Sequence, residues 1–394
     1  MVNYAILGLG LMGSAICFDL LTHDPSSKVF GFDIDSNQRK SLTEKFDSFN
    51  NRFKALPLTL ELTDEIENHE LIETFRENRI AVTFGAIDYK YNVFLSRLCI
   101  KAGCNYVDLG GNPAIVSSQK ALHPDAKKTG ITIIPDLGLA PGMVNIIAAY
   151  GMSKFDELHE CHLRVGGLPQ KPTTLLKYQK IFSIRGLTNE YLEDAIIIRN
   201  RKKITVSSLS ENEIIEFPDP WGKLEAFQTA GGSSSLPDLF ENKIDELTYK
   251  TIRYPGHCQF FRLLKDIGLL SSEEYPKNPK MTTRDLVEYY LAKYLPKGEP
   301  DVVLVRIIIT GIIDGQRKIH RYQLIDFMDQ KTGYSAMART TAFPTSIIGQ
   351  FIGHGKITTR GVIPGETTVP FNDFIKELEK RDIIFNFNEF NQSQ

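Results

Sequence analysis

Val2-Asn3-Tyr4-Ala5-Ile6-Leu7-Gly8-Leu9-Gly10-Leu11-Met12-Gly13 stands at the head of the chain. An uncharged apolar run of strand length passes straight into three glycines spaced GxGxxG, and apolar residues then recur at helical spacing over 12–21. That order of strand, glycine turn and helix gives the glycines a use. Gly8 permits the tight turn, Gly10 lets backbone approach a pyrophosphate, and Gly13 lets the helix lie close on the strand. The helix N-terminus, from Leu11 and Met12 onward, adds amide donors and the positive end of its dipole. A second β-rich run over 28–32 ends in Asp33-Ile34-Asp35, so Asp33 follows Gly13 by 20 residues, where a carboxylate accepts from adenosine ribose hydroxyls. The expected cofactor is therefore NAD, with NADP possible because Asn37, Arg39 and Lys40 lie close by.

Outward from that unit, strands are expected over 56–62, 81–84, 105–109 and 132–135, separated by helices such as 36–46, 93–102 and 117–128. Such alternation predicts an α/β fold, a Rossmann doubly wound parallel sheet, over residues 1–142. Ligands of such sheets bind beyond the carboxyl ends of the strands. Gly85 and Ala86, Gly110-Gly111-Asn112, and Gly138 in the loop from Asp136 to Gly142 are the small-residue positions expected there. From 143 to 335 long strands dominate (158–166, 204–207, 302–313) with a helix near 282–294, which predicts a second, α+β domain for substrate and dimerisation. Residues 336–385 read as C-terminal helices returning to the first domain, and the Asn-rich tail 386–394 as frayed.

At 394 residues the chain exceeds one ordinary core, and 42% hydrophobic with 24% charged residues places it among soluble globular proteins. Forty-six Lys and Arg against 48 Asp and Glu give a net charge of -2, so no whole-chain field favours nucleic acid or an anionic membrane, and a small-molecule substrate is expected. Cys17, Cys99, Cys104, Cys161 and Cys258 are odd in number and scattered, as reduced thiols of a cytoplasmic protein would be. The first ten residues lack the basic stretch of a secretory signal. His320 and His354 have no partner at metal-ligand spacing, so no catalytic metal is expected.

Ile134-Pro135-Asp136-Leu137-Gly138-Leu139-Ala140-Pro141-Gly142-Met143-Val144-Asn145 is specific beyond its turn chemistry, and resembles the saccharopine dehydrogenase superfamily. The resemblance continues through Val165-Gly166-Gly167-Leu168-Pro169, Glu225-Ala226-Phe227, Tyr249-Lys250-Thr251-Ile252-Arg253-Tyr254-Pro255-Gly256-His257 and Met337-Ala338-Arg339-Thr340-Thr341-Ala342, and so covers nearly the whole chain. Within the superfamily, the sequence resembles the lysine 6-dehydrogenases. The resemblance implies an NAD(P)-dependent amino-acid dehydrogenase that deaminates the lysine ε-carbon to an aldehyde, which cyclises to a piperideine carboxylate. The alternative is a saccharopine or carboxynorspermidine dehydrogenase, which joins amine to carbonyl reductively. Ala140 stands where saccharopine reductases carry Asp before the Pro-Gly, which weighs against the alternative. A non-catalytic redox sensor is the reading from another class, although a sensor has no need of so large a second domain. The resemblance also implies a homo-oligomer, a dimer or dimer of dimers.

Oxidising an amine carbon requires a neutral nitrogen, hence a base. Asp136, at the mouth of the sixth expected strand, and His257, within a matched motif, are the candidate acid/base groups; Asp108 is expected to point inward. For the carboxylate and amine of an amino acid, Lys177, Arg185 and Arg253 are candidate cations, and Asn112, Asn145 and Glu225 candidate amide or carboxylate partners. Tyr178, Phe182, Phe227, Phe260 and Phe261 are candidates to exclude water.

Overall fold

The computed structural model describes residues 1–58, 68–110, 112–275 and 278–391. Gly111, the later part of the strand expected over 56–62 and the last three residues lie outside them. The chain divides into two compact units, Met1–Ile147 with Ala338–Ile383, and Ala148–Met337 with Ile384–Gln394. The boundaries expected after 142 and 335 thus fall at 147 and 337.

The first unit is built on β1 (Asn3–Leu7), β2 (Lys28–Asp33), β3 (Phe53–Pro57), β4 (Ile80–Gly85), β5 (Asn105–Asp108) and β6 (Thr132–Ile134), with Gly361–Val362 added from far along the chain. All seven pair in parallel, in the order Gly361–Val362, β6, β5, β4, β1, β2, β3. Tyr4 to Leu7 on β1, an interior strand, are wholly buried, as a strand covered on both faces by crossover helices must be. One side of the sheet packs Leu7, Phe32, Leu71, Phe75, Leu95 and Tyr106 into a continuous core. The Gly361–Val362 strand was not foreseen in a segment read as helical. The helix expected over 117–128 is two, Pro113–Lys120 and His123–Thr129. Pro124 sits in the first turn of the second, where its missing N–H costs nothing, but it could not continue the first.

α1 (Leu11–His23) is tied to the end of the unit by a buried ion pair. Arg381 donates from Nε and Nη2 to the two oxygens of Asp19, at 2.6 and 3.0 Å, and both side chains are fully buried. Burial alone would raise the Asp19 carboxyl, but the Arg381 charge and hydrogen bonds, with His23, override it and hold the group below the usual carboxylate range.

The second unit is a mixed sheet. Its strands are β7 (Glu157–Pro169), β8 (Ala195–Arg199), β9 (Lys202–Val206), β10 (Glu213–Phe217), β11 (Gly222–Gln228), β12 (Ile244–Arg253), β15 (Asp301–Ile313) and β16 (Gln316–Phe327); a small separate hairpin comprises β13 (Glu274–Tyr275) and β14 (Asn278–Thr282). The main path runs β10, β11, β12, β7, β15, β16, with β12 and β7 parallel and the remaining pairs antiparallel. Residues Asn386–Asn391, expected to fray, instead add an edge strand antiparallel to β16. Phe387 packs against His320 and Tyr322, and Glu389 accepts from His320 and Lys318, which offsets the cost of ordering a polar tail. Leu168, Phe217, Trp221, Leu224, Ile252, Val302 and Leu304 form one core of this unit.

Arg381→Ala leaves Asp19 buried without its counter-charge and is expected to cost about 3–5 kcal/mol, read as a lower denaturant midpoint of the first transition. Because the folded Asp19 carboxyl is depressed, the stability it supplies is present above the unfolded value and is lost as pH falls through the folded one. The wild-type midpoint should therefore drop in acid more steeply than that of the variant.

Candidate active site

The turn between β1 and α1 has the geometry of an anion cradle. Gly8 lies at φ +94°, and a Cβ there would come within 2.6 Å of the Ala86 carbonyl oxygen. A Cβ on Gly13 would sit 1.8 Å from the Gly8 carbonyl oxygen, so the helix can pack this close only without a side chain. Gly10 differs: a Cβ there would meet nothing within 4 Å. Its bareness serves no internal packing and leaves space at the uncapped N-terminus of α1, which has no acidic residue in its first turn. Asp33 ends β2, where its Oδ2 accepts from the Leu9 amide at 2.7 Å and its Oδ1 from the Asp35 amide at 2.9 Å. The carboxylate is thereby locked to the glycine turn, with lone pairs to spare for hydroxyls. Ile34 is 80% exposed and Leu11 49% exposed, apolar surfaces suited to a planar base. Gln38 donates to the Leu9 carbonyl, and Arg39 Nη1 to the carbonyls of Asp33 and Ile34. Together these residues fit a dinucleotide.

Asp108 joins the neighbouring loops. It is fully buried at the end of β5, where Oδ1 accepts from the amides of Gly110 (2.8 Å) and Asp136 (3.2 Å), and Oδ2 from Gln119 Nε2 (2.7 Å). Burial pushes its carboxyl up to about 6 against these three hydrogen bonds. Asp136 is held at φ +62°, and Gly110, at φ +75°, has no room for a Cβ beside the Asp136 carboxylate. Gly85 is equally constrained by the Tyr106 hydroxyl, and Gly138 packs against the Leu109 carbonyl. Asn112 and Asn145, candidate substrate partners from the sequence, both accept from backbone amides. Asn112 caps the helix Pro113–Lys120 by accepting from Ala114 and Ile115, and buried Asn145 accepts from the Gly142 amide.

In the second unit the pleat of β12 sorts its side chains. Tyr249, Thr251 and Arg253 face one way, and by register Glu225, Phe227 and Thr229 on or beside β11 share that face. Arg253 is buried; its Nε donates to the Tyr191 hydroxyl at 3.1 Å, its Nη1 to the Ile252 carbonyl at 3.0 Å, and its guanidinium lies 5.2 Å from the Tyr178 ring. These donors orient the rest of the chain of bonds. Tyr191, accepting from Arg253, donates to His257 Nε2 (3.0 Å), and His257 Nδ1 donates to the Leu176 carbonyl (3.3 Å). Burial lowers the proton affinity of His257 well below the ordinary histidine range, and Arg253 adds to this against the Leu176 bond. His257, a candidate proton shuttle from the sequence, thus sits as a latch with both nitrogens engaged, on Tyr191 and on the Leu176 carbonyl. Phe227, Phe261, Tyr178 and Tyr191 surround its ring, while Phe260 is exposed.

Glu225 also serves the backbone: it accepts from the amides of Gly256 and Cys258 and so caps the helix His257–Asp266, where a carboxylate complements the dipole. Arg185 is paired with Asp285 and Glu288 at 3.1 and 3.0 Å, with its side chain 48% exposed. Lys177 is partly exposed at φ +51°. Two members of the cluster were missed from sequence. Tyr191 carries the latch, and Glu190, beside it on the helix Ile184–Leu192, has its carboxyl pushed up to about 7 by burial, against the opposing field of Arg253. On the opposite face of the sheet, Lys250, Arg164 and Arg306 stand side by side along a depression of about 390 Å³, with Glu213 bonded to the first two.

The sequence profile of the saccharopine dehydrogenase NADP binding domain matches residues 4–134, and that of the saccharopine dehydrogenase C-terminal domain matches 138–384. The chain belongs to the saccharopine dehydrogenase family. It is 23% identical over 412 residues to saccharopine dehydrogenase [NADP(+), L-glutamate-forming] of Pyricularia oryzae, covering 83% of this chain and 87% of that protein. It is 20% identical over 451 residues to the mitochondrial alpha-aminoadipic semialdehyde synthase of Rattus norvegicus, covering 97% of this chain but only 47% of that protein. Apo saccharopine dehydrogenase (L-Glu forming) from Saccharomyces cerevisiae has the same fold, with a TM-score of 0.80 at 20% identity over 99% of this chain and all of that one. Members of the family are NAD(P)-dependent amino-acid dehydrogenases, and this chain is an oxidoreductase of that kind. No helix among the described residues is long and apolar enough to cross a membrane.

Gly10→Ala meets no internal obstacle, so it should melt within a degree or two of wild type yet bind NAD at least about 10-fold more weakly by fluorescence titration, whereas Gly13→Ala should lose both stability and binding. A histidine held neutral by the fold binds fewer protons folded than unfolded, so the stability it supports is present above about pH 6.5 and declines below it. Wild-type protein should lose melting temperature between pH 7 and 5 more steeply than His257→Gln.

Proposed function

We propose that the chain is a saccharopine-type dehydrogenase, catalysing reversible oxidation of the C–N bond through which an amino acid is joined to a carbonyl-derived carbon. Arg253 carries the reading. A buried guanidinium whose hydrogen-bond partners are a phenol and a carbonyl is fixed in place without being neutralised, and an organic carboxylate supplies the missing charge. The relatives' printed activities support this substrate class over lysine alone.

Gly8, Gly10, Leu11, Met12 and Gly13 would hold the pyrophosphate, Asp33 and Ile34 the adenosine, and the Gly85-Ala86, Gly110 and Gly138 backbones the remainder. A nicotinamide cofactor held there would supply the hydride acceptor, or donor, for the carbon bearing nitrogen. Asp136 is the proposed group that takes the proton from nitrogen, its backbone fixed by the Asp108 carboxylate. Arg253 orients the substrate carboxylate, and the Tyr191–His257 latch positions Arg253. The rings of Tyr178 and Phe227 keep water from that charge, which strengthens it. Water then adds to the oxidised C=N carbon to release amine and carbonyl products.

Of the two cofactors we propose NAD, because the Asp33 carboxylate repels a 2'-phosphate, although the fungal relatives are named for NADP(+). Ala140 gives lysine oxidation a specific observation of its own, since this loop lacks the Asp that saccharopine reductases carry before the Pro-Gly.

The test follows the absorbance of reduced cofactor with NAD or NADP, offering saccharopine and lysine separately. Turnover of saccharopine, with kcat/KM falling at least about 100-fold in Arg253→Met, is expected. Turnover of lysine alone would move the chain to the oxidative deaminases, and silence with both would overturn the reading. Asp33→Ser should raise the NADP-to-NAD ratio of kcat/KM about 10-fold or more.

A further inference from the structure

Glu190 and Arg253 are an acid and a cation of one cluster that do not meet. Glu190 immediately precedes Tyr191, the hydrogen-bond partner of Arg253, on the helix Ile184–Leu192, and its carboxylate acts on the ionisation of Arg253 and of the phenols of Tyr178, Tyr191 and Tyr249. Yet no ion pair or hydrogen bond joins Glu190 to Arg253. Arg253 spends Nε on Tyr191 and Nη1 on Ile252, which leaves Nη2 uncommitted. Glu190 is fixed by its backbone, whose carbonyl accepts from the Ala230 amide at 3.0 Å, while its carboxylate accepts no hydrogen bond. Fully enclosed polar atoms without partners occur among the described residues, but none belongs to Glu190 or Arg253, so both groups keep an edge that solvent can reach.

A loose pair of this sort carries the desolvation cost of two charges without the hydrogen bonds that would offset it. A ligand bearing both signs of charge relieves both at once. We propose that Glu190 and Arg253 form a receptor for the zwitterionic end of an α-amino acid, Arg253 taking the carboxylate and Glu190 the α-ammonium, with Glu190 selecting the amino acid over the acid that lacks the amine. The inference rests on the saccharopine-type reading, whose substrate carries one such end, and assigns the half of the recognition that Arg253 cannot perform. A carboxyl raised toward neutrality by burial is a strong acceptor for an ammonium, which restores its charged form on binding.

The probes are L-2-aminoadipate and adipate, which differ only by the α-ammonium, titrated by calorimetry into the full-length protein with NAD present. Wild type should bind aminoadipate about 10- to 100-fold more tightly than adipate. Glu190→Gln should erase that preference while leaving adipate affinity within about 2-fold, which also reports an intact fold, and Glu190→Asp should restore part of it. Equal losses for both ligands in Glu190→Gln, equal affinities in wild type, or no binding of either would overturn the inference. Saccharopine turnover is read separately: a Glu190-dependent preference without turnover strikes the reaction and keeps the receptor, and turnover without the preference does the reverse.

Discussion

A parallel sheet releases its ligand-facing loops at one edge, and in the first unit the Asp108 carboxylate holds those loops to one another. Its three donors come from Gly110 in the loop after β5, Asp136 in the loop after β6 and Gln119 on the intervening helix. Backbone at Gly110 and Asp136 occupies the left-handed region, which is costly for Asp136 and persists because the surrounding bonds over-determine it. The Gly138–Gly142 turn then builds on that anchor, since the Leu137 amide bonds the Asp108 carbonyl and Thr345 Oγ1 donates to the Leu137 carbonyl. Within the first unit, a carboxylate whose proton affinity burial raises is thus the framework on which Asp136 is presented. All of its oxygens are engaged, whereas a proton-transfer group needs an open lone pair.

The second unit obtains its site from the period of a strand. Successive residues of β12 alternate between faces, so Tyr249, Thr251 and Arg253 meet the helices Ile184–Leu192 and His257–Asp266, while Thr248 and Lys250 meet the other side. Both helices are secured by carboxylate or hydroxyl caps at their N-termini, Glu225 for one and Ser183 for the other. Capping fixes where Tyr191 and His257 sit, and these in turn fix Arg253.

Local signals made the first unit legible. Glycine spacing, the apolar run of β1 and Asp33 are short-range features whose geometry follows from sequence distance alone. Gly361–Val362 and Asn386–Asn391 escaped because a short edge strand is defined by its partner, β6 or β16, and not by its own composition. The same limit governed the site. Asn112, Asn145 and Glu225 were recognisable as polar residues in matched motifs, but a sequence does not disclose that the nearest unmet demand is a backbone amide. Arg253 was found through its motif; Glu190 was not, because its meaning depends on a cation far along the chain. The polar alternation Tyr249, Thr251, Arg253 was the available sign that this face of β12 is lined for something other than apolar packing.

The two faces of that strand hold their arginines differently. Arg164, paired across from Lys250 on the outer face, bonds Glu213 at 2.5 Å, and Lys250 bonds the second oxygen of the same carboxylate at 2.9 Å. Arg164 thus spends its Nε on a carboxylate that it shares with Lys250, and an incoming carboxylate would compete with Glu213 for that donor. Arg253 is also buried, but its direct partners are uncharged, a phenol, a peptide carbonyl and an aromatic face, and Glu190 acts on it without bonding it. Those partners restrict its rotamers and satisfy part of its donors while leaving its charge uncancelled at contact distance. The neutrality of His257 is part of the same design, because a protonated imidazole at the end of the latch would set a second cation beside the first and turn the Tyr191 hydroxyl away from its bond. Holding a cation by uncharged groups keeps its field available to a ligand, and the low proton affinity of His257 is what lets the latch remain uncharged.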